Sequence, residues 1–178
     1  MINFRTRPSN NKIDVYEKFV KDFGGIFVKQ YSKDKDIIFL CVGTDRVIGD
    51  SLGPMVGYKI KNNISKGHVI GTLEDVIVAL NIVDIIEKIH REYNNPFIIV
   101  IDSCVSNYNR IGDIVVKRGS MKIGEGLNKN LISVGNMHIK GIVANSEELD
   151  FMTLQNMRIS TIMKMADIIS KGLIEMFK

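Results

Sequence analysis

The sequence has little of what builds a metal knuckle, a disulfide framework or a membrane span. Its 178 residues include two cysteines, three histidines, three prolines and no tryptophan. Cys41 and Cys104 are far apart and no Cys-x-x-Cys occurs, which argues against a zinc knuckle and a thioredoxin motif. No apolar run approaches the ~20 residues that cross a bilayer, and the N-terminus lacks the apolar stretch of a signal peptide. We therefore expect buried free thiols, a cytoplasmic protein and no membrane partner.

Concentrated positive charge is also missing. The 24 lysines and arginines and the 20 aspartates and glutamates leave a formal net charge of +4. The lysines are scattered and do not form a basic run of about 5–8 residues, and no platform of aromatic residues accompanies them. This pattern is typical of a solvated surface, and we expect no nucleic-acid partner.

Apolar runs of strand length alternate with segments of helical periodicity. Residues 37–42 and 97–101 are continuous apolar runs, and a strand without alternation is covered on both faces of its sheet. Further strands are predicted over 67–71, 113–117 and 134–143, with helices over 51–62, 80–90 and most of 147–177. The alternation predicts an α/β protein, a three-layer α/β/α sandwich with a mostly parallel central sheet.

No linker or internal repeat divides the chain, so residues 1–178 are expected to form a single domain. Residues 1–34 are expected to be a polar arm followed by a short amphipathic helix. The apolar residues between Ile13 and Phe23 recur at helical spacing, and Gly24-Gly25 is the predicted end of this helix.

Two stretches place carboxylates where strands end. Residues 36–54, DIIFLCVGTDRVIGDSLGP, lead from a strand through a loop with Asp45, Arg46 and Asp50 to a predicted helix with Ser51 as N-cap. Asp102 follows the central strand. Because the ends of neighbouring parallel strands meet at one crevice, we expect Asp50 and Asp102 to face each other.

Two close carboxylates can share a proton or hold a metal ion, and either arrangement activates a water. The structural alternative is that Asp45 and Asp50 shape turns and that Asp102 caps the next element. Phosphate binding is disfavoured, because Asp50 stands where a P-loop has its lysine. His138 is a further candidate, as a ligand or proton carrier. Nucleophilic catalysis by Ser103 or Cys104 ranks lower, since no Gly-x-Ser-x-Gly elbow occurs.

These motifs resemble the spore protease YyaC family of sporulating Firmicutes. The resemblance rests on residues 36–54, on GTLED at 71–75, on VIDSC at 100–104 and on VGNMHIKGI at 134–142, and it covers residues 36–170. That family is similar to the germination protease, which degrades small acid-soluble spore proteins, and to the hydrogenase maturation proteases. The resemblance therefore implies a phosphorylase/hydrolase-like fold and the function of a sporulation-associated peptidase. It also implies a cytoplasmic location, in the forespore or the mother cell.

The resemblance also implies roles for individual residues. The germination protease signature Asp-Ala-Leu-Gly-Pro matches residues 50–54, and its Ile-Asp-Ala matches residues 101–103, so Asp50 and Asp102 become the catalytic pair. In hydrogenase maturation proteases, acids at these two places bind a metal with a histidine, which implies a divalent metal ion at Asp50, Asp102 and His138. The residues expected to contact substrate are Asp45, Arg46, Gly124, Gly126 and Asn128; Glu125 replaces a serine of the germination protease segment.

The expected partner is a protein or peptide substrate, such as a spore protein, and a homo-oligomer stays open beside a monomer. Two other functions remain open. One is a non-catalytic binding protein that keeps the peptidase fold and recognises a spore component, because a fold does not fix a function. The other is a hydrolase of a small molecule such as a nucleoside, which a deep apolar pocket beside Asp102 would favour.

Overall fold

A computed structural model describes residues 4–6, 12–107, 111–123, 132–145 and 151–178. Within these ranges, none of the helices combines the length and the apolar character that a membrane crossing requires. The elements in chain order are β1 Phe4–Thr6, α1 Lys12–Gln30, β2 Ile37–Cys41, a 3₁₀ turn Ile48–Asp50, α2 Leu52–Ile60, β3 His68–Ile70, α3 Ile82–Glu92, β4 Phe97–Val105, β5 Ile114–Arg118, β6 Met121–Ile123, β7 Ile132–Val134, β8 Met137–Ala144, α4 Phe151–Gln155 and α5 Ile159–Phe177.

Six of the strands form one sheet in the order β1-β5-β8-β4-β2-β3. β3, β2, β4 and β8 run parallel, whereas β5 pairs antiparallel with β8 and β1 pairs antiparallel with β5. β2 and β4, the two continuous apolar runs, are neighbours inside this sheet. The predicted α/β class with a mostly parallel sheet is therefore confirmed.

The sheet is covered on both faces. One face carries α1, α2 and α5, whose side chains Phe19, Leu52 and Ile169 belong to the same buried cluster as Phe39 and Ile101 of the sheet. The other face carries α3 and the hairpin of β6 and β7. There the buried cluster combines sheet residues with helix and hairpin residues: Leu40, Val100, Ile82, Met121 and Val134. The protein thus has the predicted three layers, but a hairpin shares the second outer layer with α3.

The N-terminal segment differs from the sequence-based expectation. Residues 4–6, expected in a loose arm, form β1 on the sheet edge, and α1 continues through Gly24-Gly25 to Gln30. A glycine inside a helix costs about 1 kcal/mol relative to alanine. Packing outweighs this cost here, because Phe27 lies edge-on to Phe97 and Phe177, with ring centroids 5.7 and 5.2 Å apart.

β4 is longer than predicted, and this changes where Asp102 lies. The strand continues beyond Ile101 to Val105, because β8 pairs with it as far as Ala144. Asp102 is therefore inside β4 and not just after its end. The prediction of one strand over 134–143 is also revised, since Gly135, at a φ of 97°, separates β7 from β8.

Candidate active site

The candidate site, here called the crevice, lies where β2 ends beside the longer β4. The last rung between the two strands joins Cys41 to Ile101, and Asp102 is the next residue of β4. From β2 the chain crosses through α2 to β3 on one side, and then through α3, on the opposite face, to β4 on the other side. The strand order reverses here, and ligands of open α/β sheets bind at such a point, outside the carboxyl ends of the strands.

The start of α2 lies directly on the strand ends. A Cβ atom at Gly53 would overlap the carbonyl oxygen of Val42 and lie 2.8 Å from that of Ile101. Only glycine therefore allows this approach. Since Ile101 precedes Asp102 and the 3₁₀ turn precedes α2, this contact brings Asp50 to the crevice that Asp102 borders.

Backbone hydrogen bonds and α4 hold the turn that carries Asp50. The Thr44 N–H donates to the Asp50 carbonyl at 3.0 Å, and the Asp50 N–H donates to the Val47 carbonyl at 2.9 Å. A Cβ atom at Gly49 would lie 2.8 Å from Leu154 Cδ2 and 3.1 Å from Met157 Sδ. The turn therefore packs directly against α4 and the residues that connect it to α5.

Ser51 does not cap α2 in the way predicted from the sequence. Its backbone is helical, with φ −90° and ψ −2°, and its hydroxyl donates backwards to the Ile48 carbonyl at 2.7 Å. The 3₁₀ turn runs straight into α2, which leaves no extended residue of the kind that side-chain caps require.

The carboxyl groups of Asp50 and Asp102 interact electrostatically. Burial raises the pKa of Asp50 to about 6, although a backbone hydrogen bond from Thr44 opposes the shift. Burial also raises the pKa of Asp102 well above its usual range, and the charge of Asp50 raises it further. A hydrogen bond from the Ser103 backbone and the charge of Lys140 oppose this rise. Interacting carboxyls with raised pKa values are typical of acid–base pairs.

Asp45 and Arg46 lie on the loop between β2 and the 3₁₀ turn, and both side chains are exposed. The Arg46 N–H donates to Thr44 Oγ1 at 3.3 Å. In the part of the chain that the structure describes, Arg46 forms no ion pair with Asp45 or Asp50. Their predicted role in substrate binding stays a prediction. Gly124, Gly126 and Asn128 lie outside the described residues.

His138 does not join the two aspartates. Its Nδ1 is 3.0 Å from the Gly119 carbonyl oxygen, and burial lowers the pKa of the imidazole to about 4. In the β4–β8 ladder His138 is opposite Val100, whereas the residue opposite Asp102 is Lys140. No group of three or more His, Cys, Asp or Glu among the described residues could hold a metal ion. The three-residue ligand set that the resemblance implies is thus not assembled there, and a cation flanks Asp102 instead.

Lys140 is the residue of the crevice that the sequence reasoning missed. It belongs to the quoted VGNMHIKGI motif, but the search for chemistry considered carboxylates and histidines. A signal was available in the sequence, because Lys140 is a charged residue inside the largely apolar strand MHIKGIVA.

The described residues also border two cavities away from the carboxyl pair. One of about 540 Å³ lies between α2 and α5 and includes Lys59 and Lys171. The other, of about 150 Å³, lies between β3 and α3 and includes Thr72 and Tyr93. Neither is lined by Asp50 or Asp102, so neither is the apolar pocket that a small-molecule hydrolase would use.

The chain belongs to the family described as "Protein of unknown function (DUF1256)", which matches residues 9–172. It is 42% identical over 140 residues to the protein described as "Uncharacterized protein YyaC" of Bacillus subtilis (strain 168), a match that covers 78% of this chain and 68% of that protein. Membership of this family is therefore shown, whereas a role as a spore protease stays a prediction.

Solved structures similar to this chain include two proteins described as NiFe hydrogenase maturation proteases. HycI from Thermococcus kodakarensis KOD1 is 13% identical with a TM-score of 0.47, and the match covers 83% of this chain and 98% of that one. HybD from Thermococcus kodakarensis is 15% identical with a TM-score of 0.40, covering 80% of this chain and 99% of that one.

Proposed function

We propose that the chain is a peptidase in which Asp50 and Asp102 activate a water molecule for hydrolysis of a peptide bond. The observation that carries the proposal is that the start of α2 lies on the ends of β2 and β4 and brings two half-buried carboxyls together, so that the charge of Asp50 raises the pKa of Asp102. The biological setting, sporulation with a spore protein as substrate, rests on the motif resemblance alone. No step of this mechanism uses a metal ion.

The two aspartates have different tasks in this mechanism. With a pKa of about 6, Asp50 is ionised at neutral pH and accepts a proton from water as the oxygen adds to the carbonyl carbon. Asp102 is the proton holder, because burial and the charge of Asp50 both favour its neutral form. It protonates the leaving nitrogen when the C–N bond breaks, and the products are a carboxylic acid and an amine.

The test is cleavage of a complex peptide mixture, followed by mass spectrometry of the new termini. We expect cleavage by the unmodified protein and a loss of about 10²–10⁴-fold in Asp50→Asn and in Asp102→Asn, the usual contribution of a general acid or base. Asp84→Asn is the matched control, because Asp84 is an exposed aspartate of α3. EDTA is added to one half of each reaction, to separate a carboxyl pair from a metal-dependent site.

Cleavage that both substitutions leave unchanged would remove the site assignment. Binding of a spore component without cleavage of any peptide would favour the non-catalytic binding protein.

A further inference from the structure

Lys140 and Asp102 are neighbours in the sheet. They are partners in the parallel β4–β8 ladder, so their Cα atoms are about 4.8 Å apart and their side chains point to the same face. On the other side of Asp102, β2 has already ended. Across the crevice, the order is therefore Asp50 on its turn, Asp102 on β4 and Lys140 on β8.

The Lys140 side chain is half-buried, and the part of the chain that the structure describes offers its ammonium no acceptor. Among the described residues it forms neither a hydrogen bond nor an ion pair, and Asp102 is not within ion-pair distance. Its partner on β5 is the buried Val115, which offers no polar side chain. An unpaired ammonium beside the carboxyl pair keeps its hydrogen-bond donors available, so it is placed to bind an oxygen atom of a ligand.

We propose that the Lys140 ammonium binds the oxygen of the scissile carbonyl and stabilises the negative charge that develops there. This inference rests on the proposed peptidase function. When water adds, its oxygen forms a bond to the carbonyl carbon, the carbonyl π pair moves to oxygen, and Asp50 takes the water proton. When the C–N bond breaks, the carbonyl re-forms and the Asp102 proton goes to nitrogen. Lys140 keeps its protons throughout the reaction.

The expected effect of Lys140 falls on the chemical step. Its interaction with the oxygen strengthens as the charge develops, so it stabilises the transition state more than the bound substrate. A lysine that instead bound a substrate carboxylate would act equally in both states and would change KM.

The chain offers a matched control for this lysine. Lys117 of β5 points to the same face and is also half-buried, but its partner in the ladder is His138, two residues before Lys140. Lys140 influences the ionisation of Asp102, and Lys117 does not contribute to it. Both lysines influence His138. Lys117→Met therefore removes the same charge from the same face without touching the carboxyl pair.

The first experiment measures the kinetics of a peptide that the unmodified protein cleaves. We expect Lys140→Met to lower kcat about 10²–10³-fold with little change in KM, as for the loss of one oxyanion donor. Lys140→Arg should restore most of kcat, and Lys117→Met should resemble the unmodified protein. An unchanged kcat in Lys140→Met, or a rise in KM alone, would overturn the proposal.

The second experiment needs no cleavage and uses methylphosphonate, a tetrahedral anion, as the probe. Binding is followed by calorimetry and by NMR of ¹⁵N-labelled lysine side chains. We expect binding that Lys140→Met weakens at least about tenfold, the equivalent of one charge-assisted hydrogen bond, and that Lys117→Met preserves. Equal binding by Lys140→Met, or none by the unmodified protein, would overturn the proposal. Lys140-dependent binding without any peptide cleavage would instead contradict only the peptidase function and would leave Lys140 as the group that binds the anion.

Discussion

Burial makes the two crevice carboxyls costly to ionise. The raised pKa values of Asp50 and Asp102 have desolvation as their largest cause, which means that the folded state disfavours their charged forms. A group whose pKa is raised on folding contributes stability that is present at low pH and is lost as the pH rises through the folded pKa. The carboxyl pair therefore lowers the stability of the protein at the pH where the proposed chemistry needs Asp50 ionised.

At the residue scale, Asp50→Asn should stabilise the folded protein at neutral pH. The Asp50 pKa of about 6 lies above its usual value of 3.8, so its stability contribution is complete below about pH 4 and declines through pH 6. We expect the variant to exceed the unmodified protein by about 1–3 kcal/mol at pH 7.5, after allowance for partial exposure, and to match it near pH 3.8. Urea unfolding at both pH values measures the difference.

Asp84→Asn is again the control, because Asp84 is exposed on α3 and its replacement leaves Asp50 and Asp102 in place. His138 titrates in all these proteins and cancels from the comparison. An Asp50→Asn variant that is no more stable than the unmodified protein at pH 7.5 would contradict the desolvation of this carboxyl.

The approach of Asp50 to Asp102 could be predicted, because both follow apolar runs that had to be neighbouring parallel strands. The catalytic role of the pair stays a prediction. Lys140 could not be paired with Asp102 in advance, since their register depends on how far β4 and β8 extend. His138 was expected near the carboxyls, but the same register puts it opposite Val100.

At the element scale, the same substitution should have opposite effects in two helices. Gly53→Ala would drive a Cβ atom into the carbonyl oxygens of Val42 and Ile101, so α2 must shift away from the strand ends. We expect a loss of about 2–4 kcal/mol in the free energy of unfolding and loss of peptide cleavage. Gly25→Ala meets no atom within 4 Å in α1 and should gain about 0.5–1 kcal/mol.

Urea unfolding of both variants measures these changes. A neutral Gly53→Ala with full activity would show that α2 does not depend on this close contact.

Elements with strong patterns were predicted well, and elements set by their neighbours were not. The strands β2 and β3 and the helix α3 coincide with their predictions to within one or two residues at most ends. The hairpin of β6 and β7 was missed, because its three-residue strands carry almost no periodic signal. The end of α1 was misplaced because glycines normally terminate helices, whereas aromatic packing holds this helix together.

At the scale of the whole molecule, Phe177 packs between the helical layer and the sheet. Its ring meets Phe23 and Phe27 of α1 edge-on and also meets Phe39 of β2, with centroids 5.1 Å apart in the last pair. Its carbonyl oxygen accepts from the N–H groups of residues 65 and 66. These contacts join the last turn of α5 to three other segments.

Phe177→Ala should therefore cost about 3–5 kcal/mol, the usual penalty for emptying a buried aromatic site. Tyr58→Ala is the control, since that aromatic ring is 55% exposed on α2 and its loss should change stability by less than about 0.5 kcal/mol. Thermal and urea unfolding compare the two variants. Equal stability losses would argue against a role of the cluster around Phe177.

The contact of Gly49 with Leu154 and Met157 has a consequence for biosynthesis. Ribosomes add about 5–20 residues per second. The turn with Asp50 is therefore translated several seconds before the C-terminal helices that pack against it. The nascent chain can pair β2 with β4 in that time, yet the Asp50 turn still lacks its support from the C-terminal segment. On the proposed function, a nascent chain therefore becomes competent for hydrolysis only after its C-terminal segment has been translated.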